Sequence, residues 1–294
     1  MITRVTQQTS MLAAQRNLQS NAAQLAKLQD QAMTRKAFSR ASEDPSGAAD
    51  ALRIRAQQRA NDQHSRNIDN GLGWVTTLDS TLTAVNDLMK RVRDLTVQGA
   101  NDGSLSSTAK EAIAVELDGL KDQLLGLANT QYLGRSVFAG NSSAGAAFNP
   151  DFSFTGTPGS TVDRRIGPDS TVRVDSDGLA VFGQGATSAF ALIEGIAADL
   201  RGGTNIGTRL TAIDQSMNAI RTEHSAVGSR HAVIMRAEEA VMDKTVSFEA
   251  QRAGVEDIEI SRIILDLKAQ EITYQAALGV TARVLQPTLM DFLR

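Results

Sequence analysis

The chain has 294 residues, 41% of them apolar, which is enough to build a core and excludes a disordered tail. Only 4% are aromatic, with one Trp, so Ala, Leu, Ile, Val and Met must fill most buried positions, which favours slender helical packing. The 30 basic and 33 acidic residues leave a net charge of −3 with no basic cluster, and cysteine is absent; nucleic-acid binding, disulfides and thiolate metal sites are excluded.

In chain order, the first twenty residues mix Gln, Thr and Asn with apolar residues and lack the continuous hydrophobic region of a cleavable signal peptide. Met11, Leu18, Leu25 and Ala32 recur at seven among polar neighbours, a thin stripe on a terminal helix. Such a helix is marginal alone and needs a partner. After Pro45 no proline occurs until Pro150, so a long helix is free to form. Ile68, Leu72, Val75, Leu78, Leu82, Val85, Met89, Val92 and Leu95 draw one apolar stripe along it. Gly99 to Gly103 ends it. Ser106 or Ser107 then caps a second helix with Ile113, Leu117, Leu120, Leu124 and Leu127 on one face, and the two helices should pack as a hairpin.

Residues 134–207 hold 13 of the 23 Gly, three of the five Pro and six of the nine Phe, with short alternating runs such as Ser170 to Val174. They predict a small β-rich insert. Beyond it, Ile213, Ile220, Val227, Ile234, Val241, Phe248 and Val255 fall at intervals of seven without a slip, the spacing of a coiled-coil seam. A helix over about 207–256 would run roughly 75 Å at 1.5 Å per residue, which predicts a rod. The C-terminal segment carries Ile263, Leu267, Tyr274, Ala277, Val284 and Leu285 near helical spacing before Pro287 interrupts the pattern.

The fold expected is mainly α: an elongated bundle or coiled coil of N- and C-terminal helices. Residues 1–40 and 260–294 form paired terminal helices, 41–135 and 205–259 a long-helix rod, and 136–204 a small β-rich domain. The terminal apolar residues Met11, Leu18, Leu25, Leu28, Leu267, Tyr274, Ala277, Leu278, Val284, Leu289 and Phe292 are the candidate assembly interface. Leu82, Val85, Val92, Leu95, Ile220, Val227, Ile234, Val241 and Phe248 are the candidate rod seam. The termini are expected to fold fully only against each other and against neighbouring subunits, meeting the ordering entropy on assembly.

Motifs for chemistry are missing. His224 and His231 lie seven apart on one helix, about 10.5 Å along the axis, too far for one ion to bridge, and no His-Glu-x-x-His pattern accompanies them or His64. Gly71-Leu72-Gly73 lacks the third glycine of a dinucleotide fingerprint and reads as close packing. Glu43-Asp44 falls at a turn and Glu238-Glu239 on a helix surface. Asn141-Ser142-Ser143 fits a glycosylation acceptor pattern that arises often by chance. No catalytic, cofactor-binding or metal-ligating set is expected.

Leu28-Gln29-Asp30-Gln31 and Arg40-Ala41-Ser42-Glu43-Asp44-Pro45-Ser46-Gly47-Ala48-Ala49 resemble the N-terminal signature of the flagellin superfamily, particularly its hook-filament junction branch, the third hook-associated proteins. Lys90 to Gln98 is similar to the long-helix motif of that superfamily, Tyr132 to Gly140 to the junction branch's entry to its insert, and Val255-Glu256-Asp257 and Lys268 to Leu278 to its C-terminal motifs. Thr34-Arg35-Lys36 departs from the family's usual Ser-Gly-Lys type of turn. The resemblance implies a structural, non-enzymatic subunit joining hook to filament in the extracellular flagellum. It further implies export through the flagellar secretion channel without a cleavable signal. Implied partners are the adjacent hook-associated protein, flagellin, copies of itself in a ring and an export chaperone, with no nucleic acid and no membrane insertion. The ending Phe292-Leu293-Arg294 is close to the Leu-Leu-Arg of filament flagellins, so a filament-forming flagellin is the alternative.

Overall fold

Asp44 and Pro45 decide where the longest helix begins. The Asp44 carboxylate accepts a hydrogen bond from the Gly47 backbone N–H at 2.9 Å, and proline supplies a helix-compatible φ at the first helical position, where no N–H is needed. In a computed structural model that describes residues 2–101 and 105–285, this helix is the second of seven. The order is α1 (Ile2–Thr34), α2 (Pro45–Ala100), α3 (Ser107–Ala128), β1 (Gln131–Tyr132), β2 (Arg135–Ser136), β3 (Asp163–Arg165), β4 (Thr171–Arg173), α4 (Gly178–Phe182), α5 (Ala189–Arg201), α6 (Leu210–Glu256) and α7 (Ile260–Leu285). The fold is mainly α, with its strands confined to two two-stranded antiparallel ladders, β1–β2 and β3–β4. Residues up to Arg59 and from Thr245 onward form one compact unit, and Ala60–Lys244 a second.

In the first unit α1 ends at a backbone irregularity. Arg35 has φ of +57°, a left-handed conformation in which the Cβ crowds the following carbonyl and which favours glycine. The turn is held there from outside: the Ile258 N–H donates to the Arg35 carbonyl at 3.3 Å, the Ala37 N–H donates to the Glu256 carbonyl at 2.8 Å, and Lys36 bridges Asp257. The exit of α1 and the α6–α7 connection thereby fix one another. Arg35→Gly is expected to stabilise this unit by about 1 kcal/mol by relieving the left-handed strain, read as a rise in the midpoint of helix melting by circular dichroism. A fall would mean that the Arg35 side chain contributes more than its backbone costs. Nearby, Glu256 is buried and pairs with Arg55 at 2.6 Å and Arg252 at 3.6 Å.

In the second unit the α2 stripe is buried from Ile68 to Leu95, with only Leu72 at intermediate exposure. Ile213, Ile220, Val227, Ile234 and Val241 of α6 join the same core, as do Ile113, Leu117 and Leu124 of α3. The predicted rod-seam residues Leu82, Val85, Val92, Leu95, Ile220, Val227, Ile234 and Val241 are thus all buried here, whereas Phe248, in the first unit, is half-buried. Asn61 donates to the Val241 carbonyl at 3.0 Å, His224 meets Asp79 at 2.9 Å and Arg93 meets Asp214 at 2.8 Å. Positions rise on α2 as they fall on α6, so the two run antiparallel. Ser106 caps α3 by accepting from the Ala109 N–H, and Arg91 pairs with Glu116 at 2.6 Å across the α2–α3 hairpin.

The interior of the insert is continuous with the helical core. Phe138, Phe148, Phe182 and Phe190 are buried with ring centroids 5.1 to 5.7 Å apart, mostly edge-on. Beside them Asp175, 0% exposed, accepts from the Val162 N–H at 2.7 Å and takes both Arg173 nitrogens at 2.9 to 3.0 Å. This bidentate hydrogen bonding raises the Arg173 guanidinium above its ordinary pKa. Arg230 of α6 donates to the Asp175 carbonyl and pairs with Glu223, which also accepts from Ser176. Helix α5 is tied to α3 by Arg201 with Glu111 and Asp118. The glycine pair on α2 is close packing as read: a Cβ on Gly73 would strike the Tyr132 hydroxyl.

Candidate assembly surface

Helices α1 and α7 pack on each other. The face of α1 turned inward carries Leu18, Asn21, Ala22, Leu25, Leu28 and Ala32, all half-buried except Leu28, which is buried at 8% exposure. These positions recur at three and four, as helical geometry requires for one face. On α7 the corresponding face carries buried Ile263 and half-buried Leu267, Gln270, Tyr274 and Ala277. Gln270 donates to the Asn21 carbonyl at 3.2 Å. That polar contact inside an apolar stripe was not legible in the sequence, since Gln and Asn at such spacing read equally as solvated.

Of the predicted interface residues, Leu18, Leu25, Leu28, Leu267, Tyr274 and Ala277 therefore come together on the two facing stripes. Met11 and Leu278 are exposed. Val284 lies in the last turn of α7, and Leu289 and Phe292 fall outside the described residues. Other apolar residues of α7 point away from α1: Leu265 is 70% exposed and Ile272 67%, with Ile264 and Val280 also in solvent. Leu265 and Ile272 are seven apart and share a stripe, which leaves α7 apolar on a face that α1 does not cover.

Residues 5–143, spanning most of α1 through the β1–β2 hairpin, match the family model of the bacterial flagellin N-terminal helical region. A flagellin of Halalkalibacterium halodurans is 23% identical over 93% of this chain and 92% of its own length. Residues 5–143 thus carry a flagellin-type N-terminal helical region. The flagellar hook-associated protein 3 of Salmonella typhimurium is likewise 23% identical, over 85% of this chain and 87% of that protein. The fold is shared with the flagellar junction protein FlgL of Legionella pneumophila, at a TM-score of 0.59 and 15% identity over 71% of this chain and 100% of that one. The family model and the solved structure that the chain resembles both belong to flagellar proteins. Among the described residues no group of three or more His, Asp or Glu is placed to hold a metal ion, and no helix is long and apolar enough to cross a membrane.

Proposed function

We propose that this flagellin-type chain joins the hook, through the adjacent hook-associated protein, to the flagellin filament. On this reading copies of it sit in a ring at the hook-filament junction outside the cell, reached by flagellar export, with an export chaperone on the C-terminal segment. The observation that carries the assembly part is the apolar face of α7 around Leu265 and Ile272, which its intramolecular partner leaves in water. Burying each such side chain against a neighbour is worth about 1.5–3 kcal/mol before entropy is subtracted. Support for the junction comes from the Tyr132–Gly140 segment, which resembles the junction branch, and from the relatives whose names place them there. The flagellin of H. halodurans covers slightly more of the chain at the same identity, which keeps a self-polymerising filament subunit as the second reading.

Electron microscopy separates the two. Purified protein under salting-out conditions is expected to form no extended filament, and cells lacking it are expected to carry bare hooks while shedding filament subunits into the medium. Extended filaments from the pure protein would establish the second reading instead.

A further inference from the structure

The β1–β2 turn carries a residue that is costly in two ways. Its central residues, Leu133 and Gly134, have φ of +50° and +77°, the type I′ pattern that favours asparagine and glycine. Gly134 suits the position; Leu133 brings its Cβ against the following carbonyl. Burial does not offset that strain, because Leu133 is 76% exposed. Nor is the hairpin free to relax: Tyr132 pairs with Arg135, and its ring packs 5.7 Å from Trp74 with its hydroxyl against Gly73. A rigidly held, strained and solvent-facing leucine points to a contact outside its own chain.

A surface of matching chemistry lies on the same unit. Between α2 and α3, Ala84, Leu88, Leu120 and Leu127 line an open groove of about 650 Å³, with Asp87 among its lining residues. Gly126 leaves room there, since a Cβ on it would meet nothing within 4 Å. The charges also match: Arg135 is exposed beside Leu133, and the Asp87 carboxylate at the groove pairs with its exposed neighbour Lys90 at 2.8 Å, a pair of little energetic weight.

We propose that Leu133 of one copy seats in the groove formed by Ala84, Leu88, Leu120 and Leu127 of the next, with Arg135 meeting Asp87. The inference rests on the reading that copies of this chain assemble with one another. Knob and groove are different surfaces, so the contact is heterologous: each copy offers one of each, and the contact propagates into a ring or helical array instead of closing as a twofold dimer.

Two measurements test it. L133N places a favoured residue in the turn, and G126M replaces a helical glycine with a better helix former that fills the groove. Each is expected to keep or raise the unfolding midpoint reported by the single tryptophan, while incorporation into flagella falls at least tenfold. A lowered midpoint for L133N would show that Leu133 packs within its own chain and would overturn the proposal. The second measurement uses the natural absence of cysteine. L133C and G126C chains are co-expressed with the native chain, whose Leu133 and groove carry the assembly, flagella are isolated, and the thiols are oxidised. A disulfide-linked L133C–G126C pair is expected, and none between L133C and a V115C control on the exposed face of α3. Chains present in the flagella without that pair would refute the contact and leave the assembly reading standing; chains absent from flagella even when unsubstituted would refute the assembly reading itself.

Discussion

Asp175→Ala is expected to destabilise the 60–244 unit by about 3–4 kcal/mol, the cost of breaking a buried charge pair and orphaning a buried N–H. The carboxylate has no solvent exposure, and three donors converge on it, the Val162 N–H and two nitrogens of Arg173. The Arg173 side chain is already 29% exposed, so without Asp175 its guanidinium recovers some hydration, which keeps the cost below the upper end for a fully buried pair. Asp175→Asn preserves an acceptor for Val162 and is expected to cost about half as much. Trp74 lies in this unit at 2% exposure and is the only tryptophan, so urea denaturation followed by its fluorescence reads the change directly. For a domain of this size the shift corresponds to a fall of roughly 10 °C in Tm. A change below about 1 kcal/mol would mean that the aromatic core alone holds the insert, with the Asp175 network ornamental to it.

The contrast between that network and the helical core explains what was legible in the sequence. A helix buries one side, so burial writes itself as a period: the stripe from Ile68 to Leu95 and the sevenfold run from Ile213 to Val241 are read as faces, and they are buried. The Ser106 cap and the Asp44-Pro45 start are local and follow from residue types a few positions apart. The insert offers no such period, because its strands are two or three residues long. Its stability comes from partners far apart in the chain, as where Arg230 reaches the Asp175 carbonyl 55 residues away. Within the segment read as β-rich, Ala189–Arg201 is a helix opened by Ser188, whose hydroxyl accepts from the Ala191 N–H.

The candidate assembly surface was legible only in part. In the sevenfold stripe of α1, Leu18 and Leu25 are half-buried on the inward face, whereas Met11 of the same register is exposed. A period identifies a face without saying how far along the helix a partner extends. Left-handed residues were less visible still. Arg35 and Leu133 adopt positive φ although neither is a residue type that signals it, since tertiary hydrogen bonds and a two-residue hairpin impose the conformation from outside.

The paired termini give the second large expectation. Leu28 is the most buried apolar residue on the inward face of α1, and Leu28→Asp would place a charge where the α1–α7 seam is tightest. Losing its burial and introducing an unpaired carboxylate together are expected to cost about 3 kcal/mol or more, enough to separate two helices whose isolated forms are marginal. Hydrogen exchange should then show α1 and α7 losing protection while the Trp74 unfolding midpoint holds, and the chain should vanish from isolated flagella. Leu265→Asp makes the complementary case. That residue faces away from α1 and is 70% exposed, so protection of α1 and α7 should survive while incorporation fails. If Leu265→Asp were to incorporate normally, the open face of α7 would not be an assembly surface, and the apolar residues there would need another occupant. If instead both substitutions stripped protection, α7 would depend on its outer face for its own folding, and the seam with α1 would be the lesser of its two contacts.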